Sequence, residues 1–375
     1  MDYSNLLNRS NLKNARLNSG LSTSYVSKKI TSKDVDVVSQ WEDGKTVPTW
    51  NQLENIAALY QVPFLLFFSE QEIPQHKVIP DYRVGHNIDD SVGVNKLVNL
   101  VIRRQHWVEE RLKQEGFEKV KLQGSGRNIN SPEKLAAHIA KSLNIDLGYI
   151  KNENRADAKK RVLEYLISLA ERHGIFVGKT ISSHNIEVDD MRGMFISNDY
   201  APFIIINRKD ARSAQIFSFI HELAHFFRRS DAISNNPDFR DPKGRLAPEE
   251  VFCNRVAAEL LLPSADLQKN ISSYDDIVAI SEIYKTSVLA TFYRLKELGR
   301  IRYVDSAEFE KRAVNETKEN LKLKKLEVRK GGSHDNNMRD SNGGLLNRLV
   351  SGAYLNNEIG YTEASNILKF SVEKV

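Results

Sequence analysis

A single cysteine, Cys253, in 375 residues excludes an internal disulfide framework and points to a reducing compartment. No apolar run approaches the ~18 residues that cross a bilayer, so no membrane partner is expected. The opening stretch MDYSNLLNRSNLKNARLNSG is polar and lacks the apolar core of a secretion signal, and a cytoplasmic location is the expectation. No internal repeat of fixed period is found, which excludes a solenoid. Neither sign of charge dominates: 54 Lys and Arg stand against 49 Asp and Glu, a net of +5 that permits contact with nucleic acid without arguing for it. What is present is an ordinary globular balance, 41% apolar and 27% charged, in a length suited to two or three domains.

The chain divides by texture. From about Asn8 to Glu72, short apolar-periodic stretches broken by Gly20 and Gly44 predict a small helical domain, with Val35, Val38 and Trp41 on one helix face and Leu53, Ile56 and Ala57 on another. Helical spacing returns over 94–115, after Ser131-Pro132-Glu133, and over 156–172. The segments GIFVGKTI, MRGMFISND and APFIIINRK read as short strands of a small sheet. Helices are expected again over 211–229, 248–262 and 275–298. The fold class is therefore mainly α with a small mixed β-sheet, with domains at 1–72 and 73–305. A charged, glycine-containing stretch over 306–344 reads as a flexible linker, and 345–375 as a C-terminal helical segment.

The densest chemical signal is His221-Glu222-Leu223-Ala224-His225. Residues four apart share one helix face, so both imidazoles can reach a single Zn²⁺, and Glu222 beside them can act as a base on the attacking water. Asp210 is a candidate N-cap for this helix, and Arg228 and Arg229 suit its C-terminal end. Three fixed residues in five arise by chance at a rate on the order of one in a hundred in a chain of this size, so a second element is needed.

That element lies downstream, in APEEVFCNRVAAELLLP. A catalytic zinc site takes three protein ligands and leaves a position open. Pro248 suits the first turn of a helix, and Glu250 follows it where a carboxylate is favoured. Cys253 and Ala257 succeed Glu250 at helical spacing and are small enough for close packing. Glu250 is the expected third ligand, Asn254 one turn on an expected partner of a ligating histidine, and Glu249 points about 100° away. Cys253 reads as a buried small residue. His184 and Tyr200 are weaker candidates for an oxyanion partner, and Glu259 is expected to cap or pair within its own helix.

HELAHFF followed by EVFCNRVAAELLLP resembles the ImmA/IrrE family of zinc metallopeptidases, and Pro80-Asp81-Tyr82-Arg83, RGMFIS and YAPFIIIN fit the segments its long members carry ahead of the zinc helix. The resemblance implies a zincin-like metallopeptidase core with His221, His225 and Glu250 as zinc ligands and Glu222 as general base. It further implies cleavage of a helix-turn-helix repressor or antitoxin-like protein, which relieves repression. The front segment, with Trp41-Glu42-Asp43-Gly44-Lys45 and Pro48-Thr49, resembles the Cro/repressor (XRE) type of helix-turn-helix. There Lys28, Lys29 and Lys33 would hold DNA backbone and Gln40 would read a base. Charge works against that role: residues 1–72 carry seven Lys and Arg against eight Asp and Glu, and Asp34 and Asp36 sit on the recognition-helix candidate. The rival reading is a non-catalytic DNA- or antitoxin-binding regulator in which zinc is structural or absent; Glu222, which a structural site does not need, argues against it. Substrate pairing along the FIIIN strand is a further expectation.

Overall fold

The structure is a computed structural model in which residues 5–31, 36–60, 62–73, 92–181, 184–234, 247–267, 269–326 and 340–370 are described. The chain forms two compact units. The front unit contains α1 (Arg9–Ser19), α2 (Thr23–Thr31), α3 (Val37–Glu42), α4 (Trp50–Tyr60) and a 3₁₀ turn (Phe64–Phe68). Its core gathers Leu12, Val26, Val38, Trp41, Leu53, Ile56 and Phe67. Local chemistry sets each boundary. Asn8 caps α1, and Gly20 ends it in the left-handed region at φ 64°. Ser22 Oγ accepts the Tyr25 amide at the start of α2. Asp36 caps α3 through the Ser39 amide and also accepts from the Thr23 and Ser27 hydroxyls, which ties α3 to α2. Arg16 on α1 grips Glu42 with two bonds of 2.6 and 2.9 Å. Helix α5 (Val92–Gln114) divides between the units, with residues up to Ile102 clustering with the front one. The front unit therefore extends beyond the expected boundary at residue 72. Val35, Lys33, Asp34 and the Pro80–Arg83 segment lie outside the described residues.

The second unit is helical around one small mixed sheet. Strands β1 (Phe176–Lys179), β2 (Gly193–Ile196), β3 (Phe203–Ile206) and β4 (Ala232–Ser234) lie in the order β1-β3-β2-β4. β3 is parallel to β1, while β2 is antiparallel to both β3 and β4. This corrects the expectation for FIIIN: Phe203–Ile206 is an interior strand, buried at every residue, and offers no edge to a substrate. Its unbroken apolar run is the pattern of a strand covered on both faces. Helices α6 (Pro132–Leu143), α7 (Leu147–Asn152), α8 (Ala158–Arg172), α9 (Arg212–Arg228) and α10 (Pro248–Leu261) complete a core that includes Leu135, Leu166, Phe195, Ile204, Phe219, Leu223 and Ala257.

Two further expectations are corrected. The single helix expected over 275–298 is two, α11 (Tyr274–Ile283) and α12 (Val288–Glu297), separated by Lys285 at φ 59° and restarted by Ser287, whose hydroxyl caps Ala290. The linker expected over 306–344 begins as helix: α13 runs Tyr303–Leu326, because Phe309 and Ala313, one turn apart, bury against the α11–α12 cluster and Arg312 stacks over Tyr274. Residues 327–339 of the expected linker lie outside the described set. The C-terminal helices are α14 (Gly344–Leu355) and α15 (Tyr361–Leu368). Leading into α14, Gly343 at φ 77° comes so close to β1 that a Cβ there would lie 1.9 Å from the Val177 carbonyl oxygen. Buried Arg104 on α5 caps the end of α15 through the Ile367 and Leu368 carbonyls.

Candidate metal centre

Helix α9 is buried continuously from Gln215 to Phe227, unusual for a helix carrying two histidines and a glutamate. Its start differs from expectation. Ala211 is the cap position, and Asp210, one residue earlier, uses its carboxylate on the Ala211 amide and on Arg192. Its end is set by Arg229 in the left-handed conformation at φ 58°, which turns the chain so that the Ser230 amide bonds the His225 carbonyl. Arg228 does not merely face the dipole; it clamps Glu249 on α10 at 2.6 and 3.1 Å.

The one-turn spacing puts the His221 and His225 rings face to edge, their centroids 4.8 Å apart. Pro248 begins α10 as expected and places Glu250 in its first turn, packed against α9. His225 Nε2 lies 3.1 Å from His221 Nε2 and 2.9 Å from Glu250 Oε1, and His221 Nε2 lies 3.3 Å from Glu250 Oε2. Four-coordinate ligands at ~2.0–2.1 Å from an ion stand roughly 3.3 Å from one another, so this triangle fits a metal ion. Glu250 Oε1, buried and in contact with a ring nitrogen, accepts no hydrogen bond among the described residues. A buried carboxylate oxygen without a donor is costly, and a cation between the three groups removes that cost. Burial opposes ionisation of Glu250, yet the two rings hold its carboxyl well below the usual carboxylate range. Against the same burial, Glu250, then Glu222 and Asn254, raise the pKa of His221.

Glu222 is wholly buried beside the triangle. Strand β2 makes its room: a Cβ on Gly193 would lie 2.4 Å from Glu222 Oε1. Asn254 is buried one turn beyond Glu250, as expected, and its side chain acts on the His221 ring. A second possible donor group, His225, Glu249 and Cys253, shares one histidine with the first. Its members are otherwise engaged. Glu249 is held by Arg228 and by the Ser230 hydroxyl at 3.0 Å, and burial, then the nearby glutamates, push the Cys253 thiol well above its ordinary pKa.

The weaker candidates do not join the triangle. Tyr200 lies under the Lys113 ammonium, its amide bonded to Asn198. His184 clusters with the front unit. Glu259 does not pair within its helix alone; it bonds Ser264 and reaches Arg294 on α12. In the front unit, Lys28 and Lys29 are exposed on the last turn of α2, and Gln40 is half-buried on α3. Asp36, counted as a repellent charge, is spent on capping. Sequence reasoning missed Gly193 and Ser230. A glycine within a strand pattern signals close approach of another group, which was available for Gly193. Ser230 depends on the left-handed turn at Arg229 and left no such sign.

Residues 170–296, which hold all five residues of the expected centre, match the family described as IrrE N-terminal-like domain (Peptidase_M78). No curated protein and no solved structure matches the chain.

Proposed function

We propose that the protein is a cytoplasmic zinc-dependent endopeptidase whose ion is held by His221, His225 and Glu250. The observation that carries this reading is the buried His–His–Glu triangle with Glu222 beside it, inside the segment that matches a peptidase family. Zinc, when bound, supplies Lewis-acid polarisation of the scissile carbonyl and a water acidic enough to deprotonate near neutral pH. The chain's residues supply the rest. Glu222 accepts a proton from the attacking water and returns it to the leaving amine. The apolar walls of α9 and β2 exclude bulk water around it and strengthen its interactions. β4 pairs only with β2 among the described residues, and its other side offers backbone groups to an extended peptide.

The substrate in this reading is a helix-turn-helix repressor or antitoxin-like protein, and the front unit is an XRE-type helix-turn-helix domain that guides the encounter through protein or DNA contacts. Its near-neutral charge favours protein docking. The test pairs metal analysis with cleavage of candidate repressors by wild type and Glu222→Gln, with and without chelator. Metal retained and cleavage lost in the variant supports the reading; full biological output from the variant sinks it in favour of a regulator that acts by binding.

A further inference from the structure

The two histidines of the triangle have different surroundings on their outer sides. Among the described residues His221 Nδ1 has no close hydrogen-bond partner, although the Asn254 side chain acts on its ring. His225 Nδ1 lies 3.0 Å from Ser230 Oγ, and that oxygen lies 3.0 Å from Glu249 Oε1. Glu249 in turn is gripped on both oxygens by Arg228, whose guanidinium also bonds the Ile129 carbonyl and sits over the Phe252 ring. The sequence places Glu249 beside the expected ligand and assigns it no role.

A proton inventory fixes the direction of this chain. Glu249 is a carboxylate paired with a guanidinium and can only accept. A serine hydroxyl has one proton, and at 3.0 Å from a carboxylate oxygen it must donate there, since otherwise two lone-pair faces would oppose each other. Ser230 Oγ has then only lone pairs to offer to His225, so Nδ1 must carry the ring proton. With Nδ1 holding that proton outward, Nε2, the atom that faces His221 and Glu250, is the nitrogen left to meet a metal ion.

We propose that Ser230, held by the Arg228–Glu249 ion pair, is a positioning residue that fixes the His225 ring with Nδ1–H outward and Nε2 toward the metal position. The proposal rests on the reading of His225 as a ligand and adds a role for three residues outside the motif. Partners of this kind are worth about 10–100-fold in metal affinity. The left-handed Arg229 is what makes the relay local: it folds Ser230 back under the ring of a residue only five positions earlier.

The experiment uses full-length protein labelled with ¹⁵N-histidine, the His225 signals being assigned by their loss in His225→Ala. Long-range ¹H–¹⁵N spectra of the zinc-loaded protein should show His225 with a slowly exchanging Nδ1 proton and with Nε2 on the metal. In Ser230→Ala that proton should exchange faster with water, and zinc affinity measured by chelator competition should fall about 10–100-fold. Ser230→Thr keeps the hydroxyl and should restore both. A zinc-loaded wild type that binds the metal through His225 Nδ1 overturns the proposal. So does a Ser230→Ala protein with unchanged Nδ1 proton exchange and affinity, or an affinity loss that threonine does not repair. A protein that shows the relay and binds zinc but cleaves nothing defeats the peptidase reading alone; one that cleaves with His225 on the metal through Nδ1 defeats the relay alone.

Discussion

Among the helix pairs that carry polar side chains across their interface, two treat them in opposite ways. Between α2 and α3 every contact is closed: Asp36 accepts from Thr23, Ser27 and Ser39, and nearby Glu42 is matched on both oxygens by Arg16. Between α9 and α10 the inner atoms converge without satisfying one another, and Glu250 Oε1 has no hydrogen-bond donor among the described residues. A satisfied network specifies a fold, whereas an unsatisfied one held at ligand spacing specifies something still to be bound. The outer side of the second pair, where Arg228, Glu249 and Ser230 saturate each other, behaves like the first.

The largest effect should come from emptying the unsatisfied side. His225→Ala or Glu250→Ala is expected to abolish zinc occupancy, measured by metal analysis after dialysis, and with it all cleavage. If either variant keeps a full equivalent of zinc, the triangle is a packing feature and the contrast fails. Next comes Glu222→Gln, which should lower cleavage by about 10²–10⁴ while zinc content and fold stay as they were. The satisfied pair responds in stability and not in metal. Glu42→Ala strands the nearly buried Arg16 charge and should cost about 3 kcal/mol in chemical denaturation of the front unit, with zinc content untouched.

The smallest effect is expected at Asp36. Asp36→Ala removes a helix cap worth about 1 kcal/mol. Burial works the other way, but its three donors hold the Asp36 carboxyl below the ordinary value. A carboxyl whose folded pKa is depressed contributes stability that is complete above the unfolded value, about 3.9, and disappears as pH falls through the folded one. The stability difference between wild type and Asp36→Ala should therefore shrink on acidification below about pH 4 in urea titrations, and a difference that grows there would contradict the assignment.

The same contrast governs how much could be read from the chain. The inner triangle was legible because its residues sit at helical intervals within two short stretches, and the mainly helical fold with its small sheet followed from spacing and from the short Val-, Ile- and Phe-rich segments. What was hidden depended on tertiary placement. Strand order is not written in a strand, so Phe203–Ile206 gave no warning that it would lie inside the sheet. A charged stretch read as linker became α13 because Phe309 and Ala313 find an apolar partner elsewhere. The division between α11 and α12 turns on a single left-handed residue, Lys285, in a run that otherwise keeps helical spacing. Helix register already separates Glu249 from Glu250, but the clamp from Arg228 that holds Glu249 left no sign in the sequence.

The close approach of Gly343 to Val177 has a consequence in time. The triangle is complete in the nascent chain once Glu250 has been made, but β1 gains its cover from the 341–343 segment and α14 about ninety residues later. At translation rates of roughly 5–20 residues per second, several seconds separate the two events. Throughout that interval a bare strand edge accompanies a finished donor set, so the stretch of synthesis between residues 250 and 343 is when this chain is most exposed to pairing with a neighbour on the same message.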